Sequence, residues 1–516
     1  MNDAGTPPRI GWAAAGAGVA AATAGAGAGE LTAALAAPSS SPFAVIGGAL
    51  IDAAPTWAKD LMIEWFDTAD KIALTVLIAL VLAVVAAWAG WAELRRPPAG
   101  AVIAVAFGAV AAITALLRET GDPLPFLPGI VAGAVAGGAV HFLVGMLRPR
   151  PPRADAQAPD LPNRRAFFAW TAVAAVGGAL AVAAGNAARA GSRAITTVRD
   201  ALVLPSPTTT APPVPAGAEL GVEGLAPVIT PNADFYRIDT ALIVPTIDPV
   251  DWSLRIHGMV EEEIVLTWDE LLALPLTETT VTLSCVSNEV GGSLIGNARW
   301  LGYPIRELLA RARPTSDADM VLSRSSDGFT ASSPLEALTD DRDAILAIGM
   351  NGEPLPPEHG FPVRMVVPGL YGYVSATKWV VDLEVTRFDQ ARAYWTDRGW
   401  SERGPIKLQS RIDVPRRGRQ LAAGDTMIAG MAWQPHTGVE AVEVQIDDGD
   451  WQAASLATAI SDDTWVQWSL PWTAEPGDHT VRCRAISNDG QTQTSDTAPP
   501  APDGATGWHE VQVSVA

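Results

Sequence analysis

Apolar residues run almost unbroken through four stretches of the first two hundred positions, about 72–92, 100–117, 126–147 and 166–188, each free of interior charge. A helix needs about 20 such residues to cross the roughly 30 Å hydrocarbon layer of a bilayer, so the pattern predicts four membrane spans. A fifth stretch, about 11–36, is rich in Ala and Gly and contains Glu30; it is a weaker span, which a segment lying on the membrane surface would also explain. The pattern changes after residue 228. There "WSLRIHGMV" and "EIVLTW" read as short strands, "TWDELLALP" as a short capped helix, "TVTLSC" as an alternating strand ending at Cys285, and "YPIRELLARA" as a helix introduced by Pro304. Beyond 405 the alternation is purely β, in "DTMIAGMAW", "VEAVEVQID", "WVQWSLPW", "HTVRCRAIS" and "WHEVQVSV", with Gly, Asp and Pro turns between, as in a sandwich. Residues 203–219, "VLPSPTTTAPPVPAGAE", cannot bury a core and read as a spacer. The predicted domains are 1–190, a helical transmembrane domain of about five spans; 191–225, a Pro/Thr-rich linker; 226–402, an α+β domain; and 403–516, an all-β domain.

Charge orients the spans. Cytoplasmic loops carry the excess of Lys and Arg; Arg95 and Arg96 follow one span, and Arg148, Arg150, Arg153, Arg164 and Arg165 fill the gap before the last. The loop of about 37–71 carries Asp52, Asp60, Glu64, Asp67 and Asp70 against Lys59 and Lys71, and the loop with Arg118, Glu119 and Asp122 is mixed, which suits the outside. Five spans starting inside, or four starting outside, both place everything after residue 190 outside the cytoplasm. A multi-pass protein of the cell membrane, in contact with membrane lipid, is expected. The last span opens on "PNRRAFFAW", whose Arg164 and Arg165 resemble a twin-arginine export signal. On the dipeptide alone an ordinary topology anchor is the better reading; a cofactor loaded before export would favour the signal. The formal charge of −21 lies mostly in the second half, would repel phosphate, and excludes a nucleic-acid partner.

Two cysteines, Cys285 and Cys483, stand in neither a disulfide framework nor a paired metal-ligand spacing and read as free thiols. Cys483 alternates with Val481 inside a strand, as a small core residue does. Cys285 ends a β-branched run and opens a polar turn, Ser287, Asn288, Glu289, Gly291, Gly292. A buried structural thiol is the default there; a soft metal ligand at a strand end is the sharper reading.

The stretches "TPNADFYRIDTA", "WSLRIHG", "TVTLSCVSN", "ARWLGYPIRELL" and "MNGEPLPPEHGFPVRMVVPGLYGYVSATKWV", followed by the terminal β domain, resemble in order and spacing the sulfite oxidase family of molybdopterin enzymes over about 228–516. To the multi-span α-helical membrane domain read from the apolar runs, the resemblance adds an α+β molybdopterin-binding domain and then an immunoglobulin-like sandwich of the dimerisation type, hence a possible homodimer. It implies molybdenum-molybdopterin as cofactor, with the Cys285 thiolate as metal ligand. It suggests Tyr236, Arg237 and Asp239 from the first motif, and His359, Arg364, Ser375, Thr377 and Lys378 from the later ones, as cofactor-binding residues. Arg364 and Lys378 supply the cations that a phosphate tail requires. Arg364 also lies between apolar residues in "FPVRMVV", where an unpaired cation is costly, so a buried anionic partner is favoured. Asn288 orients the turn after the ligand, a place that a plain turn residue would fill equally well.

Sulfite-oxidising members surround the open metal position with arginines and a tyrosine. Here the tyrosine position holds Phe329, Glu289 follows Asn288 where a basic residue is expected, and Val439 stands where the second domain would contribute an arginine. A poor sulfite oxidase is expected, acting on a small neutral or cationic molecule such as a sulfoxide or N-oxide. There is no C-x-x-C-H, and the spans offer only His141, so no haem is expected in this chain and electrons leave through a separate partner, a cytochrome or a quinone-linked protein. The rival reading is a non-catalytic, membrane-tethered binding or scaffold protein that keeps the fold. A transporter is a weaker one, because the span interiors lack acids and arginines.

Overall fold

The structure, a computed structural model, describes residues 8–37, 40–53, 70–117, 124–148, 164–189, 192–241 and 244–516. The loop charges at Lys59, Asp60, Glu64 and Asp67, at Arg118, Glu119 and Asp122, and at Arg150 and Arg153 lie outside the described residues. The chain divides into two units, Met1–Ala194 with Thr240–Pro245, and Ile195–Asp239 with Thr246–Ala516.

The first unit contains helices α1 (Pro8–Ala36), α2 (Pro42–Ala53), α3 (Asp70–Arg95), α4 (Ala99–Leu117), α5 (Leu127–Gly145) and α6 (Arg164–Arg189). All but α2 are long and apolar enough to cross a membrane, the Ala/Gly-rich first stretch included. Helix α1 packs against α3, α5 and α6. In lipid, apolar side chains would gain little by packing on one another, and close backbone approach would decide the packing. Gly129, Gly133 and Gly137 recur every four residues on α5 and share a face, and a Cβ on Gly108 of α4 would meet the Gly133 backbone. Two carboxylates are buried in this bundle. Glu30 accepts from Ser41 Oγ (2.8 Å) and from Phe43 N–H (3.5 Å) at the start of α2. Glu93 accepts from Ala101 N–H in the first turn of α4 (3.1 Å), meets His141 Nδ1 (2.8 Å) and accepts from Arg148 (3.1 Å). Each sits where a helix start leaves N–H groups unpaired and its dipole favours negative charge.

In the second unit a five-stranded sheet runs in the order Ile264–Thr267, Ser253–Gly258, Val380–Thr386, Met320–Ser325, Thr330–Pro334, with only the Ser253–Gly258 and Val380–Thr386 pair parallel. A second sheet orders Thr277–Ser284, Ile295–Pro304, Ile345–Met350 and Glu353–Pro354, and Arg364–Val366 also pairs with Ile345–Met350. Thr267 and Glu270 form a reciprocal capping box that starts the helix Trp268–Leu272. The C-terminal region has two further sheets, one built on Gln409–Val414, Gly424–Trp433 and Val466–Ala474, the other on His509–Val515, Gly477–Ser487 and Val439–Ile446. Their inward residues, Ile428 and Trp468 from one and Val444, Cys483 and Val511 from the other, share a single core. Cys483 is fully buried, so its thiol is pushed up to about 12.

The Pro/Thr-rich residues do more than span a distance. Thr208 N–H donates to Leu276 O (2.7 Å) and Glu278 N–H to Thr209 O (2.8 Å), which lays this segment along the strand Thr277–Ser284. Further on, Leu220 N–H donates to Gln467 Oε1 (2.7 Å) and Ala226 N–H to Asp413 (3.1 Å) in the C-terminal sheets.

Candidate active site

The strand Thr277–Ser284 stops one residue before Cys285, and the chain turns through Leu294 into Ile295–Pro304. Cys285 N–H donates to Leu294 O (2.9 Å), and Leu294 N–H donates to Asn288 Oδ1 (2.8 Å), so Asn288 closes the turn with its side chain. Burial pushes the Cys285 thiol above its ordinary value; hydrogen bonds from the Ser287 backbone and hydroxyl, and the charge of Lys378, work the other way. Ser287, which the sequence shows only as part of the polar turn, is thus a residue that tempers the burial of the thiol. Among the described residues no three of His, Cys, Asp and Glu converge on one point. A metal at Cys285 must therefore bring its other ligands with it.

The cationic side of the site comes from Arg364–Val366 and the segment that follows. Arg364 is 4% exposed and donates only to backbone carbonyls, His359 O (3.2 Å), Met365 O (3.3 Å) and Ala376 O (3.5 Å), with its guanidinium 5.0 Å from the centre of Trp300. Among the described residues no carboxylate meets it, and burial lowers it to about 10. His359 turns Nε2 to Asn232 O (3.3 Å) and leaves Nδ1 buried without a partner. Burial, then the charges of Lys378 and Arg364, hold this imidazole at about 3. Lys378 Nζ meets Asp239 (3.0 Å) and Glu358 O (2.9 Å) and is lowered to about 8, chiefly by burial; Arg237 Nε meets the same Asp239 at 2.9 Å. Tyr236 stacks on Phe235, is raised by burial, and feels both Cys285 and Arg364. These six residues and Cys285 form one neighbourhood. A soft thiol, a buried cation lacking a counterion and a buried nitrogen lacking a donor fit an anionic, sulfur-bearing cofactor with ring N–H groups.

Two expected contributors are turned inward. Ser375 Oγ donates to Tyr371 O (2.9 Å) and Leu370 O (3.3 Å), and Thr377 Oγ1 pairs with Ser323 Oγ (2.7 Å). Their hydroxyls are spent on the fold.

Phe329 ends the turn between Met320–Ser325 and Thr330–Pro334, half-buried, with its ring 5.7 Å from that of Tyr394. Ser326 Oγ, in the same turn, is buried without a partner. Glu289 is exposed, so water screens it, which removes most of the repulsion expected from it. Val439 packs against the core of the C-terminal sheets. The arginine that this domain sends to the Cys285 turn is Arg411, whose Nη1 donates to Gly292 O (2.8 Å) while Nε meets Asp413 (2.7 Å). Nothing in its surroundings in "LQSRIDVP" distinguishes it from a strand residue, because its target lies 119 positions away.

Residues 241–395 match the model of the oxidoreductase molybdopterin binding domain. The human mitochondrial sulfite oxidase is 30% identical over 341 residues, covering 56% of this chain and 62% of that protein. The uncharacterized oxidoreductase YuiH of Bacillus subtilis is 32% identical over 157 residues, covering 30% of this chain and 76% of that protein. Among solved structures, the sulfane dehydrogenase SoxCD from Paracoccus pantotrophus covers 57% of this chain and 82% of its own at 24% identity with a TM-score of 0.49, too slight a likeness to carry fold or function. The domain match, with a thiol at a strand end that feels the charge of Lys378, places the chain among molybdopterin-binding oxidoreductases. The chain belongs to the sulfite oxidase-like family of these enzymes. It spans about 62% of the length of the mammalian sulfite oxidases it matches.

Proposed function

We propose that this chain is a membrane-anchored molybdopterin oxidoreductase whose cofactor-binding half lies outside the cytoplasm, and that it serves a small neutral substrate rather than oxidising sulfite efficiently. Cys285 would hold the metal; Arg364, Lys378 and His359 Nδ1 would hold the pterin and its phosphate, with Tyr236, Arg237, Asp239 and Asn288 shaping their surroundings. When bound, the cofactor supplies a centre for two-electron transfer and oxygen-atom exchange. Its electrons pass to a separate cytochrome or quinone-linked protein. Five apolar helices and the arginines at Arg95, Arg96, Arg148, Arg164 and Arg165 support the anchoring and the orientation. The two-sheet core behind residue 403 supports the immunoglobulin-like reading.

The observation that carries the substrate class is the pairing of the cations. Arg237 and Lys378 share Asp239, Arg411 is bound to Asp413, and Arg364 is committed to the cofactor. Among the described residues around Cys285 a dianion meets no free cation, and Phe329 offers it no hydroxyl. A sulfoxide or N-oxide, which asks for shape and one donor, loses less. Purified protein from a molybdopterin-producing host should contain molybdenum, and Cys285→Ser should lose most of it. Steady-state assays with artificial electron carriers should then give sulfite turnover well below a kcat/KM on the order of 10⁶ M⁻¹s⁻¹, an efficient enzyme's value, and measurable sulfoxide or N-oxide reduction. Sulfite turnover at that value would refute the substrate class. Absence of molybdenum would favour the scaffold reading.

A further inference from the structure

The turn Cys285–Leu294 is tied from inside by Cys285 N–H to Leu294 O, by Asn288, and by Gly292 N–H to Glu289 O. Between them Gly291, at φ +79°, and Gly292 leave the backbone free to move. The C-terminal domain supplies restraints from outside. Arg411 Nη1 donates to Gly292 O (2.8 Å), and its Nε and Nη2 grip the Asp413 carboxylate at 2.7 and 3.3 Å. The pair is nearly dry, with side-chain exposures of 10% and 12%, and Asp413 is itself fixed by Ala226 N–H. The next residue, Ile412, donates its N–H to His509 Nδ1 (3.0 Å), so the imidazole carries its proton on Nε2. That ring lies over Gly291, where any Cβ would collide with it.

We propose that Arg411 is a positioning residue for the Cys285 thiolate, and that through it the C-terminal domain sets where the metal ligand stands. The proposal rests on Cys285 being that ligand. The path is short: Gly292 N–H donates to Glu289 O (2.9 Å) and Asn288 N–H to Cys285 O (3.1 Å), so a shift at Gly292 reaches the cysteine backbone through two turn bonds. A guanidinium can hold a carboxylate in two-point contact and keep a third N–H for the carbonyl; an ammonium has the charge without the fork.

The test uses full-length protein with Arg411→Met, Arg411→Lys, His509→Ala and, as control, Arg387→Met, which removes an ion pair with Asp389 outside the C-terminal domain. In cofactor-free protein, iodoacetamide alkylation of Cys285, read by peptide mass, should quicken at least about fivefold in Arg411→Met and less in Arg411→Lys and His509→Ala. The control should match the parent. In loaded protein the Mo(V) electron paramagnetic resonance signal should shift or broaden in Arg411→Met and return part of the way in Arg411→Lys. If Arg411→Met does not fold, His509→Ala carries the alkylation test alone. Parental alkylation rates and parental spectra in the folded variants would overturn the proposal. Full molybdenum retention by Cys285→Ser would instead overturn the ligand reading beneath it, and the alkylation rates would still report on the turn.

Discussion

Arg364 and His359 make opposite demands on whatever lies between them. Among the described residues the guanidinium has acceptors but no countercharge, and carbonyl oxygens alone do not compensate a buried cation. The imidazole is neutral because burial and two neighbouring cations keep it so, and its free Nδ1 asks for a donor. The second demand can be read by pH. His359 is held at about 3 in the folded protein against an ordinary 6.5, so between those values the unfolded chain binds a proton that the folded chain refuses. Stability then rises with pH across that window and is lost as pH falls from about 6.5 toward 3. We expect His359→Gln to flatten that acid loss in cofactor-free protein, measured as Tm from pH 7 down to 4. Equal slopes for parent and variant would mean that His359 takes up its proton in the fold without cost.

At the scale of elements, what was legible followed local pattern. Each β stretch beyond 405 that alternates in the sequence is a strand, and the strand before Cys285 ends where its alternation ends. The helix after Pro304 runs Ile305–Ala312, as its apolar spacing requires. What was not legible depends on partners far along the chain. Arg411 and His509 meet the Cys285 turn only after two domains have folded together, and the Pro/Thr residues look unstructured because their bonds go to the edge of another element and not to themselves. Glu93 was missed for a related reason. It stands at the end of an apolar run and counts as flanking charge, yet α3 continues to Arg95 and buries it completely. Its removal would leave Ala101 N–H without its acceptor and Arg148 without a countercharge, with only the backbone oxygen of residue 93 still accepting from Arg148. We expect Glu93→Ala to cost the helical unit about 3–5 kcal/mol, the cost of breaking a buried ion pair, and Glu93→Gln less, because an amide oxygen still accepts from Ala101. Titration with SDS in micelles, followed by limited proteolysis, would show the order. A Glu93→Ala protein as resistant as the parent would mean that water satisfies those donors.

For the whole molecule, the proposed placement of the cofactor site outside the cytoplasm raises the question of how a loaded site would get there. The candidate site draws on residues from Tyr236 to Lys378, far apart along the second unit, with two of its groups, Arg364 and His359, buried inside the fold. Such a site is completed only when the domain has folded. A chain threaded unfolded through the membrane would have to acquire the cofactor afterwards, whereas a chain exported folded would carry it along, and under the proposed placement that asymmetry would give the arginine pair a role in export. Helix α6 begins at Arg164, and both Arg164 and Arg165 are exposed at its first turn. Two cations at a helix start are disfavoured by the dipole, so local helix stability does not explain them; a position just before an apolar span suits either a topology anchor or a signal. Replacing both arginines by lysine keeps the charge and therefore keeps the anchor, while a receptor that reads the guanidinium pair would be lost. We expect the Arg164→Lys, Arg165→Lys protein to insert its earlier helices but to leave the unit that follows inaccessible to protease added outside intact cells, with its molybdenum retained on the cytoplasmic side. If the double variant is cleaved from outside as readily as the parent, the pair acts only as an anchor and the cofactor reaches the site by another order of events.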